Sequence, residues 1–139
     1  ANNPSADADG NVMVHPGNQI PLNPAQSARV GGDVEVLPGL SLGGELAYTG
    51  SQYFDGDNAN QNVKLPGYTV VNVRMSYDIT DQWQVFGLVN NLFNNHDATY
   101  GTYFEPDDTT GLVTPALTDP RSVTLMQPIS FQAGVKLKF

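Results

Sequence analysis

The sequence predicts an all-β protein, an antiparallel sheet that spans a membrane as a sector of a transmembrane β-barrel. In five separate segments the apolar residues recur at every second position, which is the period of a β-strand. Only 14% of the residues are charged, whereas soluble domains average about 25%. The 14 Gly and 10 Pro residues supply many turn-forming positions. A sheet whose outer face does not meet water accounts for all of these features.

The last segment, 128–139, shows the strand pattern most clearly. Alternation runs without a break from Ile129 to Phe139, with polar residues, including Lys136 and Lys138, on the second face. A tilted strand needs about 9–11 residues to cross a bilayer. Taken alone, this segment fits an amphipathic strand of a soluble sandwich equally well, so the other strands decide between the two.

Four earlier segments have the same period, and short and long connections alternate between them. This asymmetry is typical of outer-membrane barrels, which have short periplasmic turns and long outer loops. We therefore expect an outer loop at 1–24 and a barrel sector at 25–139, with irregular outer loops at 53–66 and 92–127. The predicted strands begin near residues 27, 41, 67, 83 and 129, and the short turns are 37–40 and 80–82.

Charged residues within the strands all fall on the face opposite the apolar row. A charge on the lipid face near the middle of a membrane would cost about 2–4 kcal/mol, so we expect these side chains to face the barrel lumen. A salt-bridge network is a simpler interpretation of them than a substrate site. The same face of the fourth strand carries Phe86 and Leu88, which indicates contact with something packed inside. The predicted lumen-facing set is Arg29, Asp33, Glu35, Glu45, Arg74 and Asp78.

Composition and motifs argue against several other functions. The absence of Cys excludes disulfides and thiolate chemistry, and the net charge of −8 argues against a nucleic-acid partner. The segment 55–60 has the oxygen density of a Ca²⁺ loop but lacks the downstream bidentate Glu, so a solvated loop is the preferred interpretation. No Ser-His-Asp spacing stands out, and we expect no enzyme activity, cofactor or bound metal.

The predicted outer loops carry the candidate ligand contacts. Their nine acidic residues, against two basic ones, disfavour a strongly anionic ligand and suit a neutral, glycan-like or cationic one, or divalent bridging to lipopolysaccharide. Aromatic rings there offer stacking surface, and a loop histidine adds a polar group. The candidate residues are Tyr53, Phe54, His96, Tyr100, Tyr103 and Phe104.

An ordered set of motifs resembles the carboxy-terminal part of a TonB-dependent outer-membrane receptor. The set comprises L-P-G-Y-T-V-V-N at 65–72, Y-D-I-T-D-Q-W at 77–83, V-N-N-L-F at 89–93, T-D-P-R at 118–121 and the terminal Phe139, which we interpret as an assembly signal. The chain departs from the family pattern after N-L-F, where Asn94 and Asn95 replace the usual Asp, and this leaves the local loop conformation open.

The resemblance implies the last five strands of a 22-stranded barrel in the bacterial outer membrane. Members import siderophores, cobalamin, haem or glycans with energy delivered by TonB. The implied partners are the remaining strands and plug of the receptor, TonB through that part, and outer-membrane lipid. We expect the remainder to precede Ala1 and to complete the barrel as another polypeptide. A non-transporting structural subunit of an outer-membrane assembly is the alternative, and an outer-membrane enzyme comes third.

Overall fold

The computed structural model describes residues 6–103, 119 and 121–139. These residues form strands and turns. Among them there is no helix long and apolar enough to cross a membrane. The strands are β1 (Ser27–Leu37), β2 (Leu40–Thr49), β3 (Tyr68–Asp78), β4 (Trp83–Asn90), β5 (Ala98–Tyr103), β6 (Arg121–Leu125) and β7 (Ser130–Leu137). The five strands that the sequence predicted are β1 to β4 and β7, so the predicted all-β antiparallel fold is confirmed.

The chain divides into two compact units. The first, which we call the sheet unit, comprises Ser27–Thr49, Tyr68–His96 and Gln127–Phe139. The second, the hairpin unit, comprises Ala1–Gln26, Gly50–Gly67 and Asp97–Met126. The three long segments that lack the strand period in the sequence therefore supply most of the hairpin unit.

The sheet unit is a single antiparallel sheet in the order β1-β2-β3-β4-β7. Its register aligns the apolar positions of neighbouring strands, so that Val34, Leu42, Met75, Gly87 and Ala133 form one continuous row. Side chains alternate between the two faces of a sheet, and each apolar position stands beside an apolar position of the next strand. One apolar face therefore extends across all five strands.

Nothing in the sheet unit covers this apolar face. Val30 is 67% exposed, Phe131 72% and Val135 59%, although a water-soluble sheet buries such residues against a second layer. Among the described residues, the buried hydrophobic side chains are Phe54, Ala59 and Leu65, and all three belong to the hairpin unit. The sheet unit therefore has no hydrophobic core of its own, as expected of a barrel sector whose outer face meets lipid.

Short turns join the strands at one end of the sheet. Between β1 and β2, Gly39 adopts a φ of 80°, a left-handed conformation that glycine adopts without strain. Between β3 and β4, the Thr80 hydroxyl oxygen accepts hydrogen bonds from the backbone N–H groups of Gln82 and Trp83 at 3.2 and 3.0 Å. Both turns lie where the sequence predicted them.

The hairpin unit contains two strands that the sequence analysis did not predict. β5 and β6 pair antiparallel inside the segment 92–127, which we had expected to be irregular. The segment around Asp55 lies along the other edge of β5, since its N–H donates to the Gly101 carbonyl at 2.8 Å and its carbonyl accepts from the Tyr103 N–H at 3.3 Å. The aromatic ring of Phe54 packs against this small sheet and forms its core with Leu65.

Candidate functional site

The six predicted lumen-facing charges all lie on the face of the sheet opposite the apolar row. Arg74 on β3 and Asp33 on β1 form a bidentate pair there, with Nε–Oδ1 at 2.7 Å and a terminal guanidinium nitrogen–Oδ2 at 2.6 Å. The pair crosses over the intervening strand β2. Two parallel charge-assisted hydrogen bonds make the pair stronger than a single bond would, and they fix the orientation of both side chains.

Gly43 creates the space for this pair. It stands opposite Asp33 on one side and opposite Arg74 on the other. A Cβ at Gly43 would overlap the Asp33 carboxylate and lie 2.6 Å from Arg74 Nε. Any side chain at this position would therefore have to displace the pair. The sequence analysis did not identify Gly43, although a glycine at the centre of a strand is a signal of such close approach.

The other predicted lumen-facing charges also have partners. Asp78 accepts hydrogen bonds from Lys138 Nζ at 3.1 Å and from Gln84 Nε2 at 2.8 Å. Arg29 approaches Glu45 at 3.8 Å, and Glu35 accepts from the Gly39 N–H at 3.0 Å. Each of the six predicted residues thus has a neighbour of opposite charge or a hydrogen-bond donor. These contacts favour the interpretation of the set as a salt-bridge network that stabilises the sheet.

An apolar patch interrupts this polar face at β4. The ring of Phe86 lies over Gly134 of β7, where an added Cβ would be 2.5 Å from Cζ, and Leu88 follows on the same face. With the Asp33–Arg74 pair, this patch bounds a groove of about 260 Å³. Phe86 remains 42% exposed. The face therefore offers an apolar surface beside paired charges, which suits contact with a folded segment rather than with bulk water.

Asparagines fix the end of β4, where the resemblance places its N-L-F motif. The buried side chain of Asn91 donates to the carbonyls of Asn95 and Gln127 at 2.8 and 3.0 Å, and its Oδ1 accepts from the Asn95 N–H at 3.0 Å. Asn94 Oδ1 accepts from the Ile129 N–H at 3.0 Å. Asn91 and Asn94 both have a φ of 52°, which asparagine tolerates better than most residues. These bonds define the loop conformation that the sequence left open.

The aromatic candidates in the hairpin unit differ in accessibility. Phe54 is only 5% exposed, with its ring centroid 5.4 Å from that of Tyr103, so its prediction as a ligand contact is corrected: its ring is core. Tyr53 is half-buried beneath Lys64 Nζ, 4.5 Å from the ring centroid. Tyr100 is 39% exposed, and its hydroxyl donates to Asp55 Oδ2 at 3.2 Å.

The other three candidates lie in different surroundings. Tyr103 is half-buried, and its pKa is raised, chiefly by burial and then by the nearby charge of Asp57. His96 is exposed and belongs to the sheet unit. Phe104 lies outside the described residues. Among the described candidates, Tyr100 and His96 are therefore exposed, Tyr53 and Tyr103 are half-buried, and Phe54 is buried.

The segment 55–60 uses its second aspartate to hold its own backbone. Asp57 is fully buried, and its two carboxylate oxygens accept hydrogen bonds from the N–H groups of Gln61 and Asn62 at 3.1 and 3.0 Å. Asn60, with a φ of 58°, donates to the Gln19 carbonyl at 2.8 Å. In the part of the chain that the structure describes, no group of three or more acidic or histidine side chains is arranged to hold a metal ion.

Asp119 and Arg121 form a local ion pair at the start of β6. The Asp119 carboxylate accepts from Arg121 Nε at 2.9 Å and from the Arg121 backbone N–H at 3.0 Å. These hydrogen bonds lower the pKa of Asp119 from its ordinary value of 3.8 to about 2. The pair belongs to the T-D-P-R motif at 118–121, and it fixes the Arg121 side chain at the first residue of β6.

Comparison with known proteins gives one match. Residues 5–92 match the family model described as TonB dependent receptor-like, beta-barrel, which covers more than half of the chain. No curated protein and no solved structure matches. The matched range includes β1 to β4, the segment 53–66 and the start of the N-L-F motif.

Proposed function

Because the chain belongs to the family of TonB dependent receptor-like β-barrels, we propose that it is the carboxy-terminal barrel sector of a receptor that imports a scarce nutrient across the bacterial outer membrane. The family is one of transporters rather than enzymes. The nutrient classes that fit the family are a siderophore, cobalamin, haem or a glycan.

The observation that carries the proposal is the two-faced sheet without a core. One face is apolar across five strands in register, and the opposite face holds paired charges, including the Asp33–Arg74 pair. In a barrel, lipid would cover the first face and the second would line the interior. Lipid contact stabilises side chains such as Phe131 and Val135, which are more than half exposed in the chain alone.

The partners follow from the edges of the sheet. In the described part of the chain, β1 and β7 each pair with one neighbour only, and unpaired backbone groups in hydrocarbon cost several kcal/mol each. Further strands of the receptor therefore complete the barrel. The apolar patch at Phe86 and Leu88 would contact the plug, and TonB would act through that part.

The ligand class is narrowed by the charge of the long segments. Their acidic excess disfavours a strongly anionic ligand and favours a neutral, glycan-like or cationic one. Tyr53 and Tyr100 would provide ring surface for it, and His96 would lie at the base of the segment that carries Tyr100. This assignment takes the segments 1–24, 53–66 and 92–127 as the extracellular loops.

The test compares a strain that lacks the receptor gene with a strain that lacks TonB. Each is grown with one nutrient limiting: iron as ferric siderophore, haem, cobalamin, or a glycan as carbon source. We expect one nutrient to fail in both strains and to be restored by the intact receptor gene. If the receptor assembles in the outer membrane but no nutrient depends on it, the non-transporting structural subunit becomes the better interpretation.

A further inference from the structure

The small sheet of the hairpin unit has one open edge. β5 is paired on both sides, with β6 along one edge and the segment around Asp55 along the other. In the described part of the chain β6 pairs with β5 only, and all five of its residues are exposed. The outer edge of β6, which we call the open edge, is therefore where a further strand can join this sheet.

The hydrogen bonds of β5 show which way each of its residues points. Gly101 and Tyr103 both bond to the main chain of Asp55. Because the main-chain groups of successive residues in an antiparallel strand point to opposite edges, Thr102 between them faces β6, where Ser122 stands opposite it. Ser122 therefore directs its own N–H and C=O groups towards β5.

The same alternation assigns the main-chain groups of β6. With Ser122 facing β5, the N–H and C=O groups of Val123 and Leu125 point to the open edge. The bond from the Met126 N–H to the Asp97 carbonyl, at 2.9 Å, confirms this phase, since it places Met126 on the β5 side. The open edge thus presents two donors and two acceptors at alternate positions.

The side chains of Val123 and Leu125 form an apolar strip beside these groups. Val123 stands opposite Gly101, and an added Cβ at Gly101 would lie 2.5 Å from the Phe54 ring, so the strip lies on the same face as the buried core. Both side chains of the strip remain exposed. A strand added at the open edge would cover them and extend the core around Phe54.

The opposite face of the small sheet is polar and acidic. The Asp55 carboxylate lies there and accepts the Tyr100 hydroxyl at 3.2 Å, and Ser122 adds an exposed hydroxyl. The basic residue of β6, Arg121, lies on the other face and is paired with Asp119 at 2.7 Å. Among the described residues of the small sheet, this face therefore presents a carboxylate and no cation.

We propose that the open edge of β6 binds an extended cationic peptide by strand addition. In this mode main-chain hydrogen bonds give affinity and alternate side chains give specificity. The groups of Val123 and Leu125 repeat at a spacing of about 6.8 Å, two strand positions, which another extended polypeptide matches.

The two faces of the small sheet define the side chains of this peptide. Apolar side chains at alternate positions pack on the strip of Val123 and Leu125, and Lys or Arg at the other positions face the acidic side. The nine acidic residues of the long segments, against two basic ones, attract the same cations. The proposal goes beyond nutrient import, and only the access of the peptide from outside the cell rests on the proposed function.

The experiment measures binding of a fluorescent decapeptide of alternating lysine and valine to the full-length receptor in lipid nanodiscs. Val123→Pro removes an N–H of the open edge but no bond to β5, and a strand tolerates proline where the N–H faces away from its neighbour. Val63→Pro is the matched control, since Val63 is an exposed valine of the same unit outside its strands.

We expect the wild type and Val63→Pro to bind the peptide equally, and Val123→Pro to bind it about tenfold more weakly because one hydrogen bond is lost. Hydrogen exchange of the wild-type receptor carries the test if Val123→Pro fails to assemble. The amides of Val123 and Leu125 should exchange fast in the receptor alone and slowly with the peptide bound.

Two results would overturn the proposal. One is equal binding of the peptide by all three proteins. The other is slow exchange of the Val123 and Leu125 amides without peptide, which would show that another segment of the receptor already occupies the open edge. Binding to the purified receptor but not to intact cells would support the open edge and refute the extracellular placement of the segment, so failure of the proposed function is distinguishable.

Discussion

An arginine placed at the centre of the apolar face should destabilise the receptor by an amount that its depth determines. Val73 lies five residues from each end of β3 (Tyr68–Asp78), which is about 17 Å along the strand at about 3.4 Å per residue. At a strand tilt of about 40° this becomes about 13 Å along the membrane normal, half of the apolar band of about 25 Å. Val73→Arg therefore puts a charge at the midplane, where it costs about 2–4 kcal/mol.

Two positions on the same strand act as controls. Tyr77 is one residue from the end of β3, so Tyr77→Arg lies near the interface and should cost about 0–1 kcal/mol. The wild-type chain already carries Arg74 at nearly the depth of Val73 but on the opposite face, which shows that this depth alone does not exclude a charge.

The assay is urea denaturation of the full-length receptor in phospholipid vesicles, with the folded fraction read from the mobility of unheated samples on gels. Val73→Arg should shift the midpoint to clearly lower urea, and Tyr77→Arg should shift it little. If Val73→Arg leaves the midpoint unchanged, or if both variants shift it equally, the apolar face does not lie in hydrocarbon.

Three further predictions concern single contacts. Asn91→Ala removes the buried side-chain hydrogen bonds at the end of β4 and should lower the free energy of unfolding by about 1–3 kcal/mol in the same denaturation assay. Asn91→Gly, which also relieves the backbone strain of the positive φ, should recover only part of this loss. Gly101→Ala brings a Cβ within 2.5 Å of the Phe54 ring, so overpacking of about 1–3 kcal/mol should make the hairpin unit more sensitive to limited proteolysis. Arg121→Ala should raise the pKa of Asp119 from about 2 towards 3.8, as followed by NMR. The lowered pKa stabilises the folded state fully above pH 3.8, and this stabilisation is lost as the pH falls towards 2. At neutral pH the variant should therefore be less stable than the wild type, and the difference should disappear near pH 2.

The strands of the sheet unit were predictable because their signal is local. Alternation in Ser130–Leu137 and in β1 to β4 can be counted from the sequence alone, and the same parity correctly assigns each charge to a face. β5 was not predictable in this way, since A-T-Y-G-T-Y at 98–103 has no apolar alternation. Its stability depends on the distant β6 and on Phe54.

The contacts of the candidate site depend on register, which the sequence does not specify. The Asp33–Arg74 pair joins residues 41 positions apart in the chain, and it forms only because β2 presents Gly43 between them. Phe54 was wrongly expected at the surface for the same kind of reason, because its burial depends on Gly101 in another segment. Aromatic residues in a polar segment suit ligand contact and core packing equally well until their neighbours are known.

The central claim is that one face of this sheet contacts lipid and the other lines the barrel interior. A cysteine scan of β7 tests this claim most directly. Single cysteines at positions 130–137 of the full-length receptor would carry nitroxide labels in outer-membrane vesicles, with collision rates measured for oxygen and for a water-soluble nickel complex. We predict a period of two, with Phe131, Ala133, Val135 and Leu137 accessible to oxygen from the lipid and the alternate positions shielded from it. Collision rates without this alternation, or with the opposite phase, would contradict the assignment of the sheet to a membrane barrel.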